Sequence, residues 1–455
     1  MNKERKNSLT KLFLFLPFFL SALFSKAMAD EYHYINMLNG SKATGLGGSF
    51  ISVADDLTAM LYNPAGLSLS TIHSTASMNV LSWEETEFNK VFSDGSDFVR
   101  ESFIIVPGYF AFKDKQGDWD FGVSFAVTDF SKERTSTDAI IDTPQNGPIP
   151  PQTNNEFIYI DLDNSAYKFG GAVSYRYSES LSVGLSVYLQ YKEFTTVQGS
   201  GIATTIYTPD GNLEAGFNAS RRITDLQISA QPILGILWNK DNLSIGGKLA
   251  YEIPIKRDYE ATASIFLSSL MPLPPQIQQV TRITEKTSEK QKLPLELGLG
   301  ISYQFSNFLI SSDVNYFSEV QADNNYLDII ATPITRKLQE VINWSVGVEY
   351  NLSKETSVRF GIFTDNSNGY IDTDINYQRI EDIDLLGFSS SVETSFMGNN
   401  LTFGLYYKQG TGDVRYADIR SVENIVGLPL YPASGNNDIA EAKKKSLVLF
   451  LSLDF

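Results

Sequence analysis

Two histidines, His33 and His73, and not one cysteine are all the imidazole and thiol chemistry that this 455-residue chain holds. A hydrolytic triad needs a nucleophile, a base and a group that orients the base, and neither histidine has such a neighbour in sequence. There is no Gly-x-Ser-x-Gly elbow and no His-Glu-x-x-His element. Without thiols, a disulfide framework, a thiolate metal site and a cysteine nucleophile are all excluded. The reading is of a protein that is not an enzyme, with no catalytic residue, no metal and no cofactor. Carboxylate is what the chain has in quantity, 53 acidic residues against 36 basic. Such an excess repels phosphates, so no nucleic-acid partner is expected.

The elements that position these charges begin after a leader. Lys3, Arg5, Lys6 and Lys11 precede an apolar run from Leu12 to Phe24, and Ala27-Met28-Ala29 places small residues where a signal peptidase reads them. A single transmembrane anchor is the other reading, but the run is short of the roughly 20 residues a helical span needs. Residues 1–29 are therefore read as a cleaved signal peptide. Five of the 36 basic and one of the 53 acidic residues fall in it, which leaves 31 against 52 and a net charge of −21. No later stretch has eighteen consecutive apolar residues, so no helical span is expected.

From about residue 71 the sequence alternates with period two. Leu293, Leu295, Leu297, Leu299, Ile301, Tyr303 and Phe305 share one face of a strand, while Pro294, Glu296, Gly298, Gly300, Ser302 and Gln304 share the other. The pattern recurs from Leu181 to Lys192 and from Asn343 to Leu352. A soluble sandwich alternates too, but three features favour a transmembrane antiparallel β-barrel over 71–455. Many runs reach about 10 residues, the length of a tilted membrane crossing. Short connections at 114–118, 177–180, 239–242, 305–307, 351–355 and 397–400 alternate with long ones near 85–101, 132–154, 199–219, 264–280, 321–336, 372–382 and 421–442. Six short and seven long connections join about 14 strands, with the short turns on one side as in outer-membrane barrels. Last, Leu447, Leu449, Leu451 and Leu453 alternate with polar or apolar neighbours, and the chain stops on Phe455, the signature of a closing barrel strand.

Residues 30–70 break the pattern. They are Gly-rich at Gly45, Gly47 and Gly48, and Asp55-Asp56 precedes a short helix that ends before Asn63-Pro64, with Asp the favoured cap. Eight strands fill their own interior, whereas 16 to 18 leave a channel. Fourteen thus leave a lumen that needs filling, and this segment is the expected hatch, or plug.

The run Ala54-Asp55-Asp56 to Asn63-Pro64-Ala65-Gly66, within 41–70, resembles the hatch of the FadL/TodX family, outer-membrane transporters of long-chain fatty acids and other hydrophobic compounds. Lys292-Leu293-Pro294 leading into Leu299-Gly300-Ile301, and Val346-Gly347-Val348-Glu349-Tyr350 leading into Arg359-Phe360-Gly361, resemble its late strands. The resemblance implies a fourteen-stranded monomer in the outer membrane of a Gram-negative-type cell, with outer-membrane lipid and a hydrophobic small molecule as its partners. It implies ligand contacts at Asn63, Pro64 and Ala65; the plainer reading is that Asn-Pro only ends a helix. It also brings Asp30 to His33 near the ligand. It implies capture at outer loops, a pocket above the hatch and sideways release at a kink in the third strand, about Trp119 to Phe130. Gly122 is the glycine there, either the kink or an ordinary lumenal residue.

One loop is informative by itself. Residues 264–277 carry Phe266, Leu267, Leu270 and Met271, which either capture apolar ligands or fold inward to cap the mouth. By alternation Lys168, Arg176, Lys248, Glu296, Asp313, Glu349 and Arg359 point inward, where they are expected to pair with one another or with the hatch. A greasy tunnel down the full axis does not suit them. A sideways exit avoids them and a general porin would use them. Porin and secretion or surface-assembly partner therefore stand as alternatives to hydrophobic transport.

Overall fold

The computed structural model describes residues 32–92, 94–146, 150–268, 279–327, 333–370, 380–415 and 439–455. The leader read over 1–29 lies outside them. The described chain closes into one antiparallel barrel of fourteen strands. These are β1 (Ser74–Phe88), β2 (Phe98–Gln116), β3 (Trp119–Thr143), β4 (Gln152–Arg176), β5 (Leu181–Thr208) and β6 (Gly211–Lys240). They continue with β7 (Leu243–Tyr251, then Ile253–Ser268), β8 (Gln279–Thr287, then Leu295–Phe305), β9 (Phe308–Phe317) and β10 (Val341–Asn351). The last are β11 (Thr356–Asp365), β12 (Ile380–Asp382, then Leu385–Phe396), β13 (Asn399–Arg415) and β14 (Ile439–Asp454). Closure is made by β1 on β14, from Thr75↔Asp454 to Phe88↔Ala442.

Burial is inverted relative to a soluble sandwich. On β5, Val183, Leu185, Val187 and Leu189 are exposed, whereas Ser182, Ser186 and Gln190 are buried. An apolar exterior around a polar interior is the solution that lipid imposes on a closed sheet. Aromatic pairs sit at the short-turn end, Trp119 with Tyr175, Tyr303 with Phe305 and Phe308 with Tyr350, all with centroids within 4.6 Å. That is the position of an interfacial girdle. No helix among the described residues is long and apolar enough to span a membrane; this fold crosses with strands. The six short turns fall where the alternation places them, and at one of the two-residue turns, Met397-Gly398, both residues take positive φ, 52° and 78°.

The long connections differ from the sequence reading. Residues 132–143, 199–208 and 211–219 are strand, because β3 and β4 run for 25 residues, β5 for 28 and β6 for 30. A tilted crossing uses about 9–11, so the β3–β6 wall rises well beyond the membrane. Above the lipid no face has to be apolar, so the period-two signal fades although Thr, Ile, Tyr and Val keep the ladder paired from Thr143↔Gln152 to Thr208↔Gly211. The connection near 321–336 carries a small ribbon, Val320–Leu327 against Pro333–Leu338.

One ladder is interrupted. Between β2 and β3 the pairing stops at Tyr109↔Ala126 and resumes only at Ser102↔Glu133. On the other side of β3 the register shifts between Val127 and Asp129. Gly122 is not that kink. It is regularly paired to Lys113 and Ala172, and a Cβ there would overlap Met60 and press on Leu67. Its small size serves packing against the interior.

Residues 32–70 lie inside the barrel. Helix α1 (Ser41–Gly45), helix α2 (Ala59–Tyr62) and a 3-10 turn (Pro64–Ser68) are its only regular elements. Wall glycines let it approach: a Cβ at Gly235 would overlap the Asn63 amide and crowd the Pro64 ring. Gly235→Leu is accordingly expected to push the 63–65 turn off the wall and raise ion conductance in planar bilayers above that of the unaltered protein. Equal conductance would mean that this contact does not seal the lumen.

Candidate functional site

The segment is held by wall side chains that meet its peptide groups. Asp313 on β9 accepts from the Phe50 and Ile51 amides at 2.6 and 2.7 Å. Serine hydroxyls of the inner face donate to its carbonyls: Ser174 to Ala65, Ser186 to Met60, Ser311 to Ser49 and Ser389 to Gly45, at 2.8–3.1 Å. Asn63 donates to the Ile51 and Ile236 carbonyls at 2.8 and 3.0 Å and accepts from Ala65 N at 3.3 Å. The short helix ends at Asn63 as the sequence indicates, but Thr58 stands at its N-cap, and Asp56 instead accepts from the Thr58 amide at 2.7 Å.

Above this floor lies a cavity of about 270 Å³ between Tyr34, Asn36 and Tyr62 of the segment and Asp129, Lys168 and Phe317 of the wall. Tyr34 stacks on Phe317 with centroids 4.2 Å apart. One side of the cavity meets the β2–β3 interruption, where Asn36 donates to the Asp129 carboxylate. There Val106, Val127 and Phe130 form a buried apolar cluster, with Met37, Ile104, Phe125 and Tyr167 packed against it.

The lumen is closed again toward the long-connection end. Arg100 pairs with Glu133 at 2.5 Å and Glu381 at 2.9 Å, and Lys444 with Glu84 at 2.9 Å, the Arg100 set and Lys444 all buried. Beyond them Phe88, Phe98, Ile160, Leu162, Ile383 and Val414 belong to one apolar cluster drawn from both flanks of β1 and β2.

Asn63, Pro64 and Ala65 are wholly buried against β5 and β6 and do not line the cavity; their geometry is that of an anchor. His33 is buried with Nε2 2.9 Å from the Ile383 carbonyl, and it does line the cavity. His73 stands exposed at the start of β1, its amide on the Phe455 carbonyl. Phe266 is exposed on the upper part of β7, Leu267 belongs to the same strand, and Leu270 and Met271 lie outside the described residues. Six of the seven inward charges find partners: Lys248 with Glu296, Arg359 with Glu349 and Glu393 at 2.6 and 2.7 Å, Asp313 as above, and Arg176 on the Ser68 carbonyl. Lys168 has no hydrogen bond or ion pair among the described residues. The β2–β3 cluster was missed in the sequence, although Pro107-Gly108 inside a strand signals it, since proline cannot donate to a ladder.

An apolar exterior, a polar lumen and a folded segment inside it define a transmembrane β-barrel of the outer-membrane type. No family model and no curated protein sequence matches the chain. Solved structures do match, and they carry the FadL and TodX fold. A Pseudomonas aeruginosa FadL homologue aligns over 94% of this chain and 99% of its own at 11% identity and a TM-score of 0.54. The P. putida toluene transporter TodX aligns over 93% and 99% at 15% identity and 0.54. The Ralstonia pickettii toluene transporter TbuX aligns over 93% and 100% at 14% identity and 0.53.

Removing one partner of a buried ion pair leaves the other charge stranded and costs about 3–5 kcal/mol. Arg359→Ala strands Glu393 and leaves Glu349 with Lys42 alone, at 3.2 Å, so its urea unfolding midpoint is expected to fall clearly below that of the unaltered protein. The exposed Arg134–Asp161 pair, at 3.3 Å, is the control: Arg134→Ala should leave the midpoint in place.

Proposed function

We propose that this protein passes hydrophobic molecules, long-chain fatty acids foremost, into an outer membrane without energy input or chemistry. Phe266, Leu267, Leu270 and Met271 supply an apolar capture surface at the outer loops. The cavity above the segment then seats the ligand, and release is sideways, into lipid, between β2 and β3. The protein acts as a single barrel, and residues 30–70 serve as its hatch.

The observation that carries the reading is the interrupted β2–β3 ladder. It adjoins the cavity on one side and is lined by Val106, Val127 and Phe130, so the wall is weakest where it is also apolar. Transport along the axis has less in its favour, because the segment fills the lumen below and buried ion pairs cross it above. A general porin needs a continuous water path, which the same features oppose. The TodX and TbuX structures, described as toluene transporters, share the fold and so add weight to a hydrophobic cargo.

Detergent-solubilised protein titrated with a labelled long-chain fatty acid, and separately with toluene, tests the ligand class. Saturable binding of either supports the proposal, and binding of neither overturns it. The route has its own test, since the chain has no cysteine to interfere. Val106→Cys with Phe130→Cys, bridged by a bifunctional thiol reagent, should abolish uptake while binding persists. Uptake that survives a complete cross-link would place the exit elsewhere.

A further inference from the structure

We infer that the outer face of the tall β3–β6 wall carries a seat for a phosphate-bearing glycolipid of the outer leaflet, with Lys132 and Arg222 as its anion contacts. The seat holds a resident membrane lipid and not the cargo. It depends only on the barrel's place in an outer membrane.

The first support is height. On the outer face of β3 to β5, Phe125 stacks on Tyr167 with centroids 6.0 Å apart, and Tyr167 meets Tyr191 at 6.4 Å. Directly below them Phe169 and Leu189, paired across β4 and β5, are each more than half exposed, as side chains against acyl chains are. The Tyr191 hydroxyl turns the other way and donates to Glu193 at 2.9 Å. Rings with apolar bodies below and a polar end above mark the boundary between hydrocarbon and head groups. Beyond that boundary β5 runs on from Tyr191 to Thr208, roughly 55 Å of ladder. A phospholipid head-group layer is only about 5–7 Å deep. A lipid whose head carries sugars reaches far more of that wall.

The second support is shape. A groove of about 750 Å³ crosses the outer face from Lys132 on β3, over Asp163 and Thr195, to Arg222 on β6. A second, of about 940 Å³, shares Val197 and Arg222 with it and continues to Lys286 on β8. Ile105, an exposed residue of the apolar band, lines the first groove, so acyl and head-group contacts are continuous. Thr195 and Thr224 bring hydroxyls to the grooves at the register of Lys132.

The third support is charge. Along the grooves Arg134 is paired with Asp161 at 3.3 Å and Lys286 with Glu260 at 2.9 Å. Asp258 is taken by Lys256 at 2.6 Å, and Asp163 is engaged as well. The side chains of Lys132 and Arg222 make no hydrogen bond or ion pair among the described residues, yet both line the first groove. They stand three strands apart, about 14 Å across the sheet, which suits a head with phosphate at both ends. A chain of formal net charge −17 repels anionic lipid as a whole. Cations left over at head-group height give such a lipid one place to be held.

The probe is a bisphosphorylated, acylated glucosamine disaccharide (lipid A), titrated into the purified protein in a non-ionic detergent. It should bind saturably, and less tightly as salt rises, because the contacts are exposed. Its phosphatase-treated form and phosphatidylcholine should bind at least tenfold more weakly. Lys132→Gln and Arg222→Gln should each weaken lipid A about 5-fold and the double variant about 25-fold. Lys354→Gln, at the short-turn end, should change nothing. Equal binding of the dephosphorylated lipid, or an unchanged affinity in the double variant, would overturn the inference. Displacement of lipid A by millimolar inorganic phosphate would assign the groove to free phosphate and overturn it too. Palmitate binding should be the same in the double variant and the unaltered protein. A protein that binds no palmitate but holds lipid A loses the transport reading and keeps this seat. Retained heat-modifiable migration of each variant shows that its barrel has formed.

Discussion

A segment with little regular structure can be buried only if its peptide groups find partners, and this barrel is organised around supplying them. Residues 32–70 hold two helices of five and four residues and one 3-10 turn of five, so much of their backbone is not satisfied within the segment. An unpaired buried peptide group costs about as much as a lost hydrogen bond. The inner face answers with serines and one aspartate at the required heights: Ser174, Ser186, Ser311, Asp313 and Ser389. Glycines stand beside them where the backbone comes closest, as at Gly184, Gly235 and Gly361. The polar half of the alternation is thus selected by a peptide that has to be held, and the apolar half by lipid.

The same accounting explains why the wall can be broken in one place. In lipid, an irregular backbone is tolerated only where protein or a cavity covers it. Between β2 and β3 the loss of pairing coincides with cover from both sides. Val106 and Val127 are wholly buried, and Met37 of the inner segment packs against them. Pro107 brings no donor to satisfy, and the Lys132 amide turns to the Ser102 hydroxyl at 3.3 Å. The interruption is consequently a built feature: the segment that fills the lumen also backs the gap, through Met37 and through Asn36 on Asp129.

Much of this was legible in the sequence, and the parts that were not share a cause. Strand number, the six short turns and the polar interior could be read because lipid forces a period of two, and Leu295 to Phe305 shows it without exception. The height of the β3–β6 wall could not, because above the membrane neither face must be apolar and strand looks like loop. The inward charges were read correctly from alternation, yet which of them makes no hydrogen bond or ion pair among the described residues depends on neighbours such as Lys192 and Glu252, 60 residues apart. The kink was sought at a glycine in β3, while the local chemistry that marks it, Pro107-Gly108, lies on the neighbouring strand. Asn63-Pro64 read equally well as a ligand contact or as punctuation, and the partners of its amide, Ile51 and Ile236, were not legible because they lie 12 and 173 residues away.

The two closures of the lumen bear differently on a charged and on an apolar passenger. Along the axis, any solute has to part Arg100 from Glu133 and Glu381, each buried, and separating such pairs strands charges at a cost of several kcal/mol. Sideways, the barrier consists of apolar side chains and a stretch of wall already without ladder hydrogen bonds. An apolar chain replacing Val106–Phe130 contacts loses little, since it restores dispersion contacts of the same kind, and it gains the lipid on the other side. Water and ions gain nothing by that route, because they would leave a polar lumen for hydrocarbon. On the proposed sideways route, a barrel sealed by ion pairs along its axis and by aliphatic packing across its wall would discriminate by polarity: the path that is cheapest for an alkyl chain is the one most costly for an ion.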